Sequence, residues 1–235
     1  MRQLSFVSDL ILTSRHDGEE AEYLFKKLCE RGIVIGTDEA GRGALAGLVM
    51  AAAVYITPEQ ENELKKLKLR DSKLMTPKNR EKIFEAMREL KIKWRAASSN
   101  IEMIERENIL NASLNAMKRC VELLARDLEC EPACVIVDGD ERIDNLKFNQ
   151  WPLIKADKLL TVVSAASVIA KVLRDRYMKN LDALYPEYHF AKNKGYPTRN
   201  HREAILKFGL SDVHRVSFCR RILQSKGGLY NEWPE

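Results

Sequence analysis

Four carboxylates in this chain stand where chemistry is commonly done. Asp38 and Glu39 close the apolar run GIVIGT, Asp138 closes VIVDG, and Asp157 follows the short β-like segment LIKAD. Sites in open α/β sheets gather at strand ends. Several carboxylates in one cleft repel each other unless cations neutralise them. Oxygen-only donors suit Mg²⁺ or Mn²⁺ rather than zinc. Two such ions ~3.5–4 Å apart recur where a phosphodiester is attacked in line. Each acid alone also has a plain structural reading. Asp138-Gly139 is a turn signal, Asp157 could cap a helix, and Asp38-Glu39 could be a solvated strand exit. Neighbours on a regular strand face opposite ways. Both members of the Asp38-Glu39 pair serve one site only if the strand ends or twists there, so Asp38 is the stronger candidate for a direct side-chain ligand.

Two glycine loops could bring backbone to a substrate. Gly41-Arg42-Gly43 follows the first acids directly, and glycine lets main chain approach a ligand closely. Arg42 could contact phosphate. By itself Gly-Arg-Gly is also an ordinary tight turn. The second loop is FAKNKGYPT, with Lys192, Lys194 and Tyr196 between Gly195 and Pro197. A tyrosine displayed there could stack on a sugar or base; equally, it could pack beneath the loop.

The totals set bounds on function. The 235 residues suffice for one large domain or a domain with an appendage, and 45% hydrophobic content is ordinary for a globular protein. Net charge is +5 and the pI about 8.9. The excess is local: residues 171–226 hold 13 Lys/Arg against 5 Asp/Glu, net +8, while the rest of the chain is net −3. That stretch reads as a solvated helical surface or as a phosphate-facing side carrying Lys192, Lys194 and Arg215. Five cysteines without a CxxC pair argue against a disulfide framework or zinc knuckle, and predict a reduced, cytoplasmic protein. The N-terminal segment has Asp9 within its apolar stretch and no small-residue cleavage site, so no signal peptide is expected. The longest apolar run, Ala44 to Ile56, is shorter than the ~18 residues of a membrane span, and no membrane partner is expected. His16, His189, His201 and His214 are scattered and read as surface or satisfied interior groups.

The elements that must position these residues follow from periodicity. Residues 17–32 predict an amphipathic helix with Leu24, Phe25 and Leu28 on its buried side, within an N-terminal helical appendage over residues 1–31. Strands are expected at Ile33 to Thr37, Leu45 to Ile56, KIKWRAASS, ACVIVDG and LIKAD. A helix opens at Thr76-Pro77. A long helical stretch, in one or two pieces, starts at Asn100, and another runs through TVVSAASVIAKVLRDRYMKNLDAL. Short basic helices follow Thr198. Alternating strands and helices predict an α/β fold with a central sheet. The expected division is residues 1–31, a catalytic domain over 32–226 with a basic helical C-terminal part, and a tail at 227–235.

Taken together, GTDEAGRGALAG, DSKLMTPKNRE, ENILNAS, VIVDG, ADK, SAASVIAKVLRDR, NKGYPT and HRVSF resemble the ribonuclease HII (type 2 ribonuclease H) family, in family order from about Gly32 to about Phe218. The resemblance implies a ribonuclease H-like fold with a central mixed β-sheet, flanking helices and a C-terminal helical subdomain. It implies metal-dependent endonucleolysis of RNA in RNA–DNA hybrids. It also implies incision 5′ to a single ribonucleotide in duplex DNA, leaving 3′-hydroxyl and 5′-phosphate ends. The acidic quartet falls on Asp38, Glu39, Asp138 and Asp157, with two Mg²⁺ or Mn²⁺ ions bridged by Asp38. Gly41, Arg42 and Gly43 fall on the motif that senses the ribose 2′-hydroxyl, and Tyr196 on the residue that stacks on the following sugar. The expected partners are RNA–DNA hybrid and ribonucleotide-bearing duplex DNA, met by a monomer.

Departures are small. Ala44 and Leu48 replace frequent prolines, Ala156 a frequent glycine before the fourth acid, and Asn193 a frequent histidine. The residues before Asp38 are too few for the N-terminal domain of the related HIII family. Ser72 and Lys73 have a structural or a substrate-side role. Asp175 is expected to orient an arginine or a helix turn rather than bind metal. Rival readings are another two-metal nuclease, a non-catalytic hybrid-binding protein, and a small-molecule phosphate enzyme. The last lacks GxGxxG and Walker A patterns.

Overall fold

The structure is a computed structural model that describes residues 12–69 and 76–224. Ser72 and Lys73, and the tail at 227–235, lie outside the described residues. Five strands form one mixed sheet in the order β3-β2-β1-β4-β5. These are β1 Val34–Ala40, β2 Val49–Tyr55, β3 Lys93–Ser99, β4 Cys134–Asp138 and β5 Gln150–Leu153. The β3-β2-β1 pairings are antiparallel, and β1-β4-β5 are parallel.

The two central parallel strands read as continuous apolar runs because both faces are covered. One face packs against α6, Thr161–Leu184. Val34, Ala52, Val54, Cys134 and Ile136 point into that layer together with Val162, Ala165, Ala166 and Ile169. The other face packs against α4, Ile101–Asp127, through Ile35, Ala51, Ala53, Val135 and Val137. The alternation of even and odd residues between the two layers is the period-two rule of a strand. Helix α1, Gly18–Cys29, buries Leu24, Phe25 and Leu28 in the α6 layer, as its apolar stripe predicts.

Several elements differ from expectation. The second strand starts at Val49 rather than Leu45. Residues 45–47 pair instead with the far end of the chain: Leu45 N–H donates to Gly195, Gly47 N–H to Val213, and Arg215 N–H to Leu45. The segment LIKAD is not a strand. The strand ends at Leu153, Lys155 adopts a left-handed conformation (φ 61°), and Asp157 lies in the short helix α5, Ala156–Leu159. Helix α2, Pro58–Lys66, follows a Thr57–Gln60 capping box that the sequence reading passed over. Helix α3, Pro77–Glu89, begins at Thr76 as predicted. Helix α4 breaks at Asn108, whose φ of 68° interrupts it; the Asn108 side chain caps the second piece at Asn111.

After α6 come a 3₁₀ turn at Pro186–Tyr188 and the helices α7 Phe190–Asn193, α8 Arg199–Phe208 and α9 Val216–Gln224. They enclose a second apolar cluster of Met178, Tyr188, Phe190, Ile205 and Ile222, which also takes Leu45 and Ala46. No described helix is long and apolar enough to cross a membrane. Ile136 is fully buried in the central parallel pair. Ile136→Ala is expected to lower unfolding stability by about 2–5 kcal/mol, measured by urea titration.

Candidate active site

Strand parity and register assemble the first two acids. Thr37 pairs with Val137 across the parallel β1-β4 ladder, so Asp38 and Asp138 are neighbours one step further on. Both are even-numbered and share the α6 face, on strands about 4.8 Å apart. Asp38 is only 4% exposed. Burial, then Glu39, pushes its carboxyl up to about 7, while Lys171 and a hydroxyl hydrogen bond from Ser167 act the other way. Burial, then Asp38 and Asp157, likewise pushes Asp138 up to about 7. Asp138 Oδ1 accepts the amide of Asp157 at 3.3 Å. One acid thereby anchors the short helix that carries another, and Ser164 of α6 grips the Asp157 carbonyl.

Glu39 faces the other side of β1, as alternation requires, but the strand ends at Ala40. Burial raises its pKa; Arg42 opposes that effect and Asp138 adds to it. Arg42 Nη1 is 3.3 Å from Glu39 Oε1. Glu39 Oε2 is buried with no hydrogen-bond partner. The four predicted acids thus form one electrostatic cluster at the ends of β1 and β4.

Among the described residues, no three His, Cys, Asp or Glu side chains are closed into a coordination shell. Arg42 and Lys171 oppose part of the mutual repulsion of these carboxylates. The donor set nevertheless fits a hard divalent cation. It is all oxygen, burial raises two of its members to about 7, and one buried carboxylate oxygen is unsatisfied.

The two glycine loops are fastened together. Arg174 of α6 donates from Nε to Leu48 O, from Nη2 to Ala46 O, and from Nη1 to Lys194 O in the second loop. Its guanidinium lies 5.3 Å from the centre of the Tyr196 ring, which is 40% exposed. Gly41 has φ +103°, and a Cβ there would lie 2.1 Å from Arg174 Nε. Gly43 differs: its φ is not positive and nothing lies within 4 Å of where a Cβ would be.

Tyr196 is fixed through its carbonyl, which is bonded to His201 Nδ1 at 2.9 Å. His201 Nε2 meets His214 Nε2 at 3.1 Å, and the amide of Ser211 donates to His214 Nδ1 at 3.0 Å. Asn193 donates to the Tyr188 carbonyl and accepts from the Gly195 amide, shaping the turn before Tyr196. His201 and His214 are the satisfied interior groups the sequence suggested. Asp175 pairs with Arg80 at 2.9 Å, as expected of an orienting acid.

The basic residues divide. Lys192 is exposed. Lys194 turns its ammonium to the Ala191 carbonyl at 2.6 Å. Arg215 corrects the expectation of a duplex-facing cation, for it is fully buried. Its Nη1 donates to Gly41, Arg42 and Ala44 carbonyls and its Nε to Gly47. Burial pulls it down to about 9, still cationic at neutral pH. Missed in the sequence were Ser164, Ser167, Lys171 and Arg174, a polar stripe at helical spacing on α6.

A mixed sheet whose central strands end in clustered carboxylates, covered by helices on both faces, defines a ribonuclease H-like enzyme. A family model described as ribonuclease HII matches residues 35–221. The chain is 43% identical over 200 residues to a ribonuclease HII of Caldicellulosiruptor bescii, covering 84% of this chain and 93% of that protein. It is 44% identical over 194 residues to a ribonuclease HII of Marinomonas, covering 82% and 94%. The crystal structure of ribonuclease H2 from Pyrococcus horikoshii superposes with a TM-score of 0.66 at 25% identity, covering 84% of this chain and all of that one. The chain belongs to the ribonuclease HII family, metal-dependent endonucleases that hydrolyse phosphodiester bonds of RNA in RNA–DNA hybrids.

Asp38 and Asp138 are raised in the folded state, so between about pH 4 and 7 the native protein holds protons that the unfolded chain releases. Their stabilising effect is present below that window and is lost as pH rises through about 7. The metal-free protein is therefore expected to melt at a lower temperature at about pH 8 than at about pH 5.5. Mg²⁺ or Mn²⁺ should raise the melting temperature more at the higher pH. Equal metal shifts at both would separate these acids from metal binding.

Proposed function

We propose that this protein incises duplex DNA on the 5′ side of a single embedded ribonucleotide, as well as cutting RNA in longer hybrids, and leaves 3′-hydroxyl and 5′-phosphate ends. The observation that carries this reading is Gly43. Neither its backbone conformation nor its neighbours call for glycine. A bare Cα is then useful to something outside the chain, and main chain approaching a sugar is the simplest use. The exposed Tyr196 ring, joined to the same unit through Arg174, offers a stacking face for the next sugar.

Asp38, Glu39, Asp138 and Asp157 would hold two Mg²⁺ or Mn²⁺ ions. When bound, the metal supplies Lewis-acid activation of water and charge stabilisation at the leaving oxygen. The chain's own residues set the geometry. Ser167 and Lys171 orient Asp38, and the Asp157 amide orients Asp138. Arg42, about half exposed beside Glu39, can meet a backbone phosphate. Lys192 and the basic C-terminal helices would add sequence-independent attraction to duplex backbone. The division of the chain into an N-terminal appendage, a catalytic unit and a tail, its action as a monomer and its place in the cytoplasm belong to the same proposal.

The deciding assay is cleavage of duplex DNA bearing one ribonucleotide, with Mg²⁺ and Mn²⁺ compared, against the same duplex without it. Incision 5′ to the ribonucleotide is expected; equal treatment of both duplexes would reject the reading. Asp38→Asn and Asp138→Asn should each abolish cleavage while the protein still folds. Gly43→Ala is expected to change stability by under about 1 kcal/mol yet slow cleavage at the embedded ribonucleotide at least about tenfold. Tyr196→Ala should impair the same cleavage, and an unchanged rate would remove the ring from recognition.

A further inference from the structure

The loop from Gly41 to Leu48 directs six of its carbonyls at two buried guanidinium groups. Arg215 takes those of Gly41, Arg42, Ala44 and Gly47; Arg174 takes those of Ala46 and Leu48. The two arginines come from separate elements, the middle of α6 and the residue just before α9. Ordinary loops satisfy their carbonyls with main-chain amides or water. This one has given them to side chains, and the amides are thereby left to point elsewhere.

A trans peptide plane fixes where. The carbonyl of one residue and the N–H of the next lie in one plane and point in opposite directions. Ala44 provides an internal check: its carbonyl meets Arg215, and the following Leu45 N–H leaves on the other side to Gly195 O at 2.7 Å. The same geometry turns the Arg42 and Gly43 amides away from Arg215, because the Gly41 and Arg42 carbonyls meet it at 2.8 and 3.0 Å. Among the described residues neither amide has a main-chain acceptor. The backbone at Gly43 itself borders open space.

We infer that Arg215, braced by Arg174, is a positioning residue for ribose recognition: it aims the Arg42 and Gly43 amides at the substrate without touching it. The inference rests on the reading of the glycine–arginine–glycine loop as the sugar-reading edge. Arg215 keeps this arrangement at a cost. Its Nη2 is buried without a partner, which a residue selected only for stability would avoid. Lysine cannot replace it, since one ammonium on a flexible stem cannot present the planar fork that reaches Gly47 and the three carbonyls of the turn together.

The test compares wild type with Arg215→Lys and Arg174→Lys. Affinity is measured by fluorescence anisotropy in EDTA for a duplex with one ribonucleotide and for its all-DNA counterpart. The ratio of the two affinities is the readout, because simple destabilisation lowers both together. Wild type should prefer the ribonucleotide duplex, and Arg215→Lys should cut that preference about tenfold, the loss of one or two well-aimed hydrogen bonds. An unchanged ratio in a folded Arg215→Lys protein overturns the inference alone. No preference in wild type overturns the reading of the loop, and the inference with it. Should Arg215→Lys fail to fold, the wild-type amides decide. Arg42 and Gly43 N–H should exchange rapidly in the free protein and shift only with the ribonucleotide duplex; slow exchange in the free protein overturns the inference.

Discussion

Two like charges held side by side on neighbouring parallel strands are the constraint around which this molecule is arranged. Asp38 and Asp138 share a face and a register; burial raises both carboxyls, Glu39 adds to the rise at Asp38, and Asp38 adds to it at half-buried Asp138. Their repulsion has to be met locally. Ser167 and Lys171 answer it at Asp38, and the amide end of α5 answers it at Asp138. Helix α6 is the element that makes this workable. Its apolar residues seal the sheet, while one stripe of polar residues runs along the acids and then on to the substrate loops.

That stripe links two tasks usually treated apart. Ser164 and Ser167 face the carboxylate cluster, and Arg174, two to three turns along, grips both glycine loops. The distance between the reacting centre and the sugar-reading edge is therefore set by the rise of one helix, about 1.5 Å per residue. A helix is among the stiffest rulers a chain offers, and a sub-ångström tolerance between metal-binding acids and a sugar demands one.

Much of this was legible in the residues. The strand cores, the terminal carboxylates and the two glycine loops all carry local signals, and the helices at Thr76 and Asn100 announce themselves by their caps. What escaped was non-local. Leu45 to Gly47 is apolar enough for a strand, but its main-chain partners, Gly195, Val213 and Arg215, come from the far end of the sequence. Asp157 was expected after a strand and belongs to a helical turn, because Lys155 takes a left-handed conformation that no lysine advertises. Arg215 looked like one more cation in a basic stretch. Only the fold reveals that it points inward, since charge counts carry no information about direction. The polar stripe on α6 was visible in principle, at spacings of three, four and three, but it runs among apolar residues that pack on the sheet.

The histidine pair behind Tyr196 has a consequence of its own. Only one proton arrangement satisfies it: Ser211 N–H gives to His214, His214 to His201, and His201 to the Tyr196 carbonyl. Burial, then His201, pulls His214 down to about 4, and burial lowers His201 too. Burial thus disfavours a second proton on either ring, which favours a single polarity of the wire. The tyrosine's footing is thus shielded from the pH range over which Asp38 and Asp138 change charge.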